Sequence, residues 1–144
     1  GDPVLFSGDT LFVGGCGRFF EGDARDMRRA LMDVAAKLPG ATRVFCGHEY
    51  TVSNLNFALA VEPDNVNVQE KLQWARDTLA GGGYTVPSTI AEELTYNPFM
   101  RVDQPTVREA VGGVSDDVAV MKRLREMKNS FRPPTKTAGR LPRL

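Results

Sequence analysis

The apolar pattern of this chain changes character near residue 50, and that change limits the folds open to it. Before it, short apolar runs flank one amphipathic stretch. Val4-Leu5-Phe6-Ser7-Gly8 predicts a short buried strand, and Arg43-Val44-Phe45-Cys46-Gly47 predicts a second strand entering a turn. Between them Met27, Ala30, Leu31, Val34, Ala35 and Leu38 recur at helical spacing, with Asp23 placed to cap a helix over 24–38 and Pro39-Gly40 to stop it. After residue 50 the pattern is almost wholly helical. Leu55, Ala58 and Leu59 mark one helix that ends before Pro63. Asp64 or Asn65 opens the next, which carries Val68, Leu72, Trp74, Ala75 and Leu79 and closes at the glycines 81–83. Thr89-Ile90-Ala91-Glu92 fits a capping box with Thr89 as the cap, Asn97-Pro98 breaks that helix, and Ser115 caps a last one through Phe131. Residues 1–50 therefore read as α/β layers, 51–131 as a helical unit, and 132–144, rich in proline and basic residues, as a flexible tail.

Composition narrows the partners. Eighteen basic residues balance eighteen acidic ones, so the net field draws in neither nucleic acid nor an anionic membrane. The longest apolar run, 57–61, is far short of a membrane span. The two cysteines, Cys16 and Cys46, lack C-x-x-C spacing, which argues against a disulfide framework and for a reducing compartment. The start, Gly1-Asp2-Pro3-Val4, has neither an initiator methionine nor a basic leader, and a strand follows almost at once. The chain is expected to begin inside a fold.

Two residues could carry metal chemistry. The single histidine, His48, follows an apolar run and a glycine, and Asp9 follows Gly8 in the same way. Strand ends are where α/β proteins present functional side chains. Imidazole and carboxylate both suit zinc or iron, and a carboxylate can bridge two metals. On spacing alone the plainer reading is favoured, a turn cap and a structural histidine. Gly14, Gly15 and Gly17 make a flexible loop that another group can approach closely. Tyr50 and Trp74, read singly, are core residues. Cys16 has no histidine assigned to activate it, and Cys46 reads as a small buried hydrophobe.

The wording around these residues adds more. Ser7-Gly8-Asp9-Thr10-Leu11-Phe12, Gly15-Cys16-Gly17-Arg18-Phe19-Phe20-Glu21-Gly22 and Cys46-Gly47-His48-Glu49-Tyr50-Thr51 occur in that order. Val61-Glu62-Pro63, Val86-Pro87-Ser88-Thr89 and Tyr96-Asn97-Pro98-Phe99-Met100-Arg101 follow. Over 1–131 this resembles the glyoxalase II enzymes, the hydroxyacylglutathione hydrolases of the metallo-β-lactamase superfamily. The resemblance implies an α/β fold: the C-terminal part of a metallo-β-lactamase αββα sandwich over 1–50, then an all-helical glutathione-binding domain over 51–131. It implies that Asp9 bridges two divalent metals and that His48 is the last histidine ligand, on the second metal. Zinc is the first expectation, with iron or manganese also suited. It further implies that Arg18, Phe20, Tyr50, Arg125 and Lys128 contact glutathione. Arg18 stands where the family often has lysine, and Phe20 where it often has a tyrosine whose hydroxyl can donate. Arg125 and Lys128 are three apart on one helix face, as two cations holding carboxylates would be.

The family's other ligands, a T-H-x-H-x-D-H motif and a further histidine, are absent from this chain. The implied activity is metal-dependent hydrolysis of S-(2-hydroxyacyl)glutathione, releasing glutathione and D-lactate from S-D-lactoylglutathione in methylglyoxal detoxification. The isolated chain, lacking the upstream ligands, is expected to be inactive. The alternative is a non-catalytic truncated module that retains a glutathione-binding or interaction surface. The expected partner is a glutathione thioester, with neither nucleic acid nor membrane. A monomer is expected for the complete protein and self-association for the isolated chain, through exposed apolar sheet. A cytoplasmic location is expected, with mitochondria the alternative for the full-length protein.

Overall fold

The computed structural model describes residues 2–19 and 23–133. Strand β1 (Val4–Gly8) lies parallel to β4 (Arg43–Cys46), in the register Val4 to Arg43 and Phe6 to Phe45. Parallel neighbours need a crossover, and α1 (Ala24–Arg28) with its continuation supplies it. A short strand the sequence reading did not anticipate, β5 (Ser88–Thr89), pairs antiparallel with β4 and completes the order β1-β4-β5. Between β1 and the crossover, β2 (Leu11–Phe12) and β3 (Gly15–Cys16) form a small antiparallel hairpin. The helical half follows: α2 (Thr51–Val61), α3 (Val66–Ala80), α4 (Ile90–Tyr96), α5 (Pro105–Ala110) and α6 (Asp117–Ser130).

Several expectations hold at the level of single caps. Asn65 caps α3 by accepting from the N–H groups of Asn67 and Val68, and Thr89 caps α4 by accepting from Glu92. Asn97 ends α4 and caps the 3-10 turn Pro98–Met100. Others need correction. Asp23 stands at the start of α1 but its side chain makes no cap bond. The helix expected over 24–38 is not uniform: a π-turn spans Arg29–Val34 and a 3-10 turn spans Ala35–Lys37. Arg28 reaches both Asp33 oxygens, at 2.8 and 2.7 Å, from five residues away, the reach that a wide turn favours. The last helix is capped by Asp116, which accepts from Ala119, not by Ser115. The short α5 escaped notice because six residues with one buried apolar position, Val107, carry almost no periodic signal.

Burial corrects three further readings. Strand β1 is not buried: Phe6 is 80% exposed, and its ring lies 5.7 Å from that of Phe45. Among the described residues β4 is its one strand neighbour, and no element covers the sheet face that carries Phe6. Trp74 is 42% exposed rather than core, with the Lys71 ammonium 3.8 Å from its ring centre. Helix α3 buries Val68, Leu72 and Ala75 at helical spacing, and Trp74 falls off that stripe. Leu79 on the same helix is exposed too. Tyr50 is 49% exposed and so is not a core aromatic. The flexible tail expected over 132–144 lies outside the described residues from 134 onward.

Two apolar clusters hold the chain together, and both cross residue 50. One joins Leu11, Leu31 and Val44 to Phe57, Phe99, Met121 and Leu124. The other joins Val13 to Leu55, Val68, Leu72 and Tyr96. Leu11 and Val13 thus anchor one hairpin in both clusters. Near the end of α2, buried Glu62 receives Arg101 through Nε and Nη2 at 2.9 and 3.0 Å, and the Thr106 hydroxyl at 2.6 Å. Burial pushes the Glu62 carboxyl up, but the bonds from Arg101 and Thr106 outweigh it and hold it below the usual range.

A carboxyl depressed in the folded state stabilises above its unfolded pKa, about 4.3 for glutamate, and loses that contribution as pH falls through the folded value. Glu62→Gln is therefore expected to cost about 3 kcal/mol at pH 7, because Arg101 is left poorly paired. In urea unfolding from pH 7 down to 3, the gap between variant and unaltered chain should narrow. A gap independent of pH would refute this account of Glu62.

Candidate functional site

The two strand ends bring Asp9 and His48 together. Strand β1 ends at Gly8, which has φ +54° and shifts the register so that Gly8 faces Cys46. The Gly47 N–H then donates to the Gly8 carbonyl at 2.8 Å and ties the two turns. Asp9 follows one strand and His48 the other, so both project from the same ends of parallel neighbours. His48 Nε2 stands 3.3 Å from Asp9 Oδ1, with both side chains open to solvent. A Cβ on Gly47 would lie 2.8 Å from Asp9 Oδ1 and 3.2 Å from the Gly8 carbonyl oxygen, so a side chain here would push the Asp9 carboxylate aside.

An aromatic wall stands behind the pair. The His48 ring stacks on Tyr50 at 5.0 Å and 6°, and the edge-on Phe12 ring lies 5.1 Å from Tyr50. The cleft this wall borders holds about 520 Å³ and is lined by Asp9, Arg18, His48, Tyr50, Arg125 and Lys128, among others. Six of the seven residues singled out in the sequence thus meet in one cleft. The seventh, Phe20, lies outside the described residues.

The three cations differ in what they are free to do. Arg125 is 6% exposed, donating through Nη1 to the carbonyls of Cys16 at 2.8 Å and Gly17 at 3.3 Å, and through Nε to Asn129 at 2.9 Å. It is mainly a strut between α6 and the β2–β3 hairpin. Burial, then the neighbouring charge of Arg125, holds the Lys128 ammonium below the ordinary lysine range. Arg18 is exposed at the end of the hairpin. Lys128 and Arg18 are therefore the cations best placed to meet an anion entering the cleft.

Neither cysteine is poised as a thiolate. Burial pushes the Cys16 thiol up to about 12, so thiolate is negligible at neutral pH. Cys46 is half-buried rather than buried, and its Sγ donates to the His48 carbonyl at 3.3 Å.

Residues outside the sequence shortlist hold the hairpin in place. The Asn97 amide donates to the carbonyls of Phe12 at 3.3 Å and Gly15 at 3.0 Å, and to Glu93 at 2.9 Å. Buried Glu93 accepts the Gly14 N–H at 3.0 Å and the Tyr96 hydroxyl at 2.6 Å. Burial raises the Glu93 carboxyl against the pull of these donors. Asn54 donates to the Val13 carbonyl at 3.2 Å. The hairpin expected as a flexible loop is thus buried and bonded on three sides. A signal was present: Ile90, Glu93 and Asn97 follow one helical stripe, and polar residues on an apolar stripe ask for partners.

For a metal, the donor chemistry is right and the set is small. Asp9 Oδ1 and His48 Nε2 converge at the cleft, but no group of three or more histidine, cysteine, aspartate or glutamate side chains that could hold a metal occurs among the described residues. Among the same residues, no helix is long and apolar enough to cross a membrane.

A mixed α/β chain with small sheets, a helical C-terminal half and an Asp–His pair at adjoining strand ends is the arrangement expected of the C-terminal part of a glyoxalase II-type protein. The family model described as hydroxyacylglutathione hydrolase C-terminus matches residues 49–131, and the chain belongs to that family. It is 51% identical over 131 residues to the cytoplasmic hydroxyacylglutathione hydrolase of Arabidopsis thaliana, covering 91% of this chain and 50% of that protein. It is 52% identical over 132 residues to the hydroxyacylglutathione hydrolase-like protein of Gallus gallus, covering 92% and 46%. With the hydroxyacylglutathione hydrolase of a Synechococcus strain it shares 53% identity over 127 residues, covering 88% and 50%. The chain therefore spans about half the length of the curated relatives it matches.

Two substitutions test this construction by urea denaturation. Asn97→Ala removes a donor shared among three buried acceptors and is expected to destabilise by about 3 kcal/mol. A Cβ on Gly17 would overlap the Asp9 carbonyl oxygen, so Gly17→Ala should cost about 2–3 kcal/mol through forced displacement of the turn. Costs below about 0.5 kcal/mol in either would contradict the packing described.

Proposed function

We propose that the chain is the C-terminal part of a metal-dependent thioester hydrolase acting on S-(2-hydroxyacyl)glutathione, with S-D-lactoylglutathione the expected substrate. Residues 1–50 would be the C-terminal part of a metallo-β-lactamase-type αββα sandwich, and 51–131 the glutathione-binding domain. The observation that carries this reading is the convergence, in one cleft, of Asp9 and His48 with Arg18, Tyr50 and Lys128. The names of the relatives support the same chemistry. A cytoplasmic place is the corresponding reading of the compartment in the Arabidopsis relative's name.

In this reading Asp9 and His48 supply two ligands of a two-metal site, and two divalent metals, zinc first, would activate water and polarise the thioester carbonyl. The chain's own groups do the rest. Lys128 and Arg18 meet the carboxylates of the glutathione part, while Arg125 mainly fixes the hairpin that carries Arg18. The exposed Tyr50 ring gives the peptide an apolar wall with a hydroxyl at its end. A thiolate is a weak base and leaves without a strong general acid. Two donors fall short of the roughly three protein ligands a catalytic zinc needs, which favours weak metal binding and little turnover by the chain on its own. For the chain taken alone, a glutathione-binding module without catalysis is the second reading.

Zinc stoichiometry and S-D-lactoylglutathione hydrolysis on the purified chain test the first point. Less than one tightly bound zinc and negligible turnover are expected, and two tight metals with substantial turnover would overturn the partial-site reading. Binding of S-methylglutathione, followed by NMR, tests the second. Lys128→Ala should weaken it about tenfold, the equivalent of about 1.4 kcal/mol. No binding to the unaltered chain, or no effect of Lys128→Ala, would sink the glutathione reading.

A further inference from the structure

The turn that carries His48 contains a third side chain, and the proposed chemistry makes no use of it. His48 and Tyr50 line the cleft. Glu49, between them, turns instead to two threonines. Its Oε1 accepts from the Thr51 hydroxyl at 3.4 Å, and its Oε2 accepts the Thr85 N–H at 3.3 Å. The two hydroxyls, Thr51 Oγ1 and Thr85 Oγ1, lie 2.6 Å apart. Thr51 has one proton. If it goes to Glu49, the Thr85 hydroxyl must donate to Thr51, and the bonds run in one direction toward the carboxylate.

Both threonines are fully buried, at 1% and 0% exposure, whereas Glu49 is exposed. The carboxylate is therefore located by the core and not by solvent. Thr85 leads directly into the chain segment of β5, which pairs with Val44 and Arg43 of β4. Glu49 so closes a loop between the turn after β4 and the strand beside β4. It also precedes the N-terminus of the eleven-residue helix α2, where negative charge is favoured. At the other end of the turn, Gly47 is tied to Gly8 and Cys46 to the His48 carbonyl. The stacked rings of His48 and Tyr50 sit between these two fastenings.

We propose that Glu49, acting through Thr51 and Thr85, is the positioning residue that sets the His48–Tyr50 stack and so aims His48 Nε2 at Asp9. Its functional meaning rests on the reading of His48 as a metal ligand. Groups that orient a ligand from behind typically change metal affinity by about 10- to 100-fold. Glu49 does this through the backbone, by holding the two residues that flank it.

His48 is the only histidine, so its imidazole gives one set of NMR signals in the full chain. Tyr50→Leu calibrates the ring-current shift that the stack produces. In Glu49→Ala, the His48 ring signals should move most of the way to the Tyr50→Leu position, and the His48–Tyr50 ring contacts should vanish from NOE spectra. The methyl signals of Val44 and Leu55 should stay in place. Glu49→Gln keeps a carbonyl acceptor, and Thr85→Val keeps the N–H donor, so each should retain about half of the shift. Zinc affinity, measured by competition with a chromophoric chelator, should fall about tenfold in Glu49→Ala. Unchanged His48 shifts and contacts in a folded Glu49→Ala would overturn the proposal. If that variant does not fold, unchanged shifts in both Glu49→Gln and Thr85→Val overturn it equally. Loss of the stack with zinc affinity unchanged upholds the positioning role and removes the metal-ligand reading instead.

Discussion

The structure depends on the way one buried amide and one buried carboxyl grip a hairpin. Asn97 and Glu93 between them bind the backbone of Phe12, Gly14 and Gly15. A two-residue ladder such as β2–β3 has too few bonds to persist alone. Fixed from the helical half, it becomes part of the core, with Leu11 in one apolar cluster and Val13 in the other. Arg125 closes the far end of the same hairpin through the carbonyls of Cys16 and Gly17. The polar atoms involved are buried, so each bond that is broken leaves a group without water as well as without its partner.

This clamp is also what couples the two halves of the chain. The Asp9–His48 pair belongs to the α/β half, while Lys128 belongs to the last helix. They share a cleft because the hairpin leading from Asp9 to Arg18 is held against α6 and α4. Gly17 passes so close to Asp9 that no side chain fits between them, and its N–H donates to the Thr10 carbonyl at 3.1 Å. The glycines are thus used for close approach, and the mobility a glycine run suggests is absent from the packed result.

Much of the fold was legible because its signals are local. Capping needs only residues two or three positions away: Thr89 caps where the pattern put it, and of the two candidates Asp64 and Asn65 it is Asn65 that caps α3. The strand–helix–strand alternation of residues 1–50 was legible from the change of period, and the structure makes its two strands parallel neighbours. What failed depended on distant neighbours. Trp74 is as apolar as its helix mates but faces outward, and Phe6 is exposed because nothing described covers the sheet face that carries it. The strand β5 was unreadable in a helical stretch because two residues pair only when β4 is beside them.

The sequence by itself determined which residues are candidates for the site. Asp9 and His48 each follow a strand and a glycine, and motif order links them to Arg18, Tyr50, Arg125 and Lys128. Only the tertiary structure decided what each of them does. It made Arg125 a strut by burying its guanidinium against two carbonyls and left Lys128 and Arg18 facing the cleft. It also brought Glu93, Asn97 and Glu49 into account, residues that read as an ordinary helix and an ordinary turn. The physical reason is that a hydrogen bond is set by distance and direction: polar Glu93 and Asn97 on an apolar stripe show that partners are needed, but with those partners some eighty positions away the chain does not say which they are.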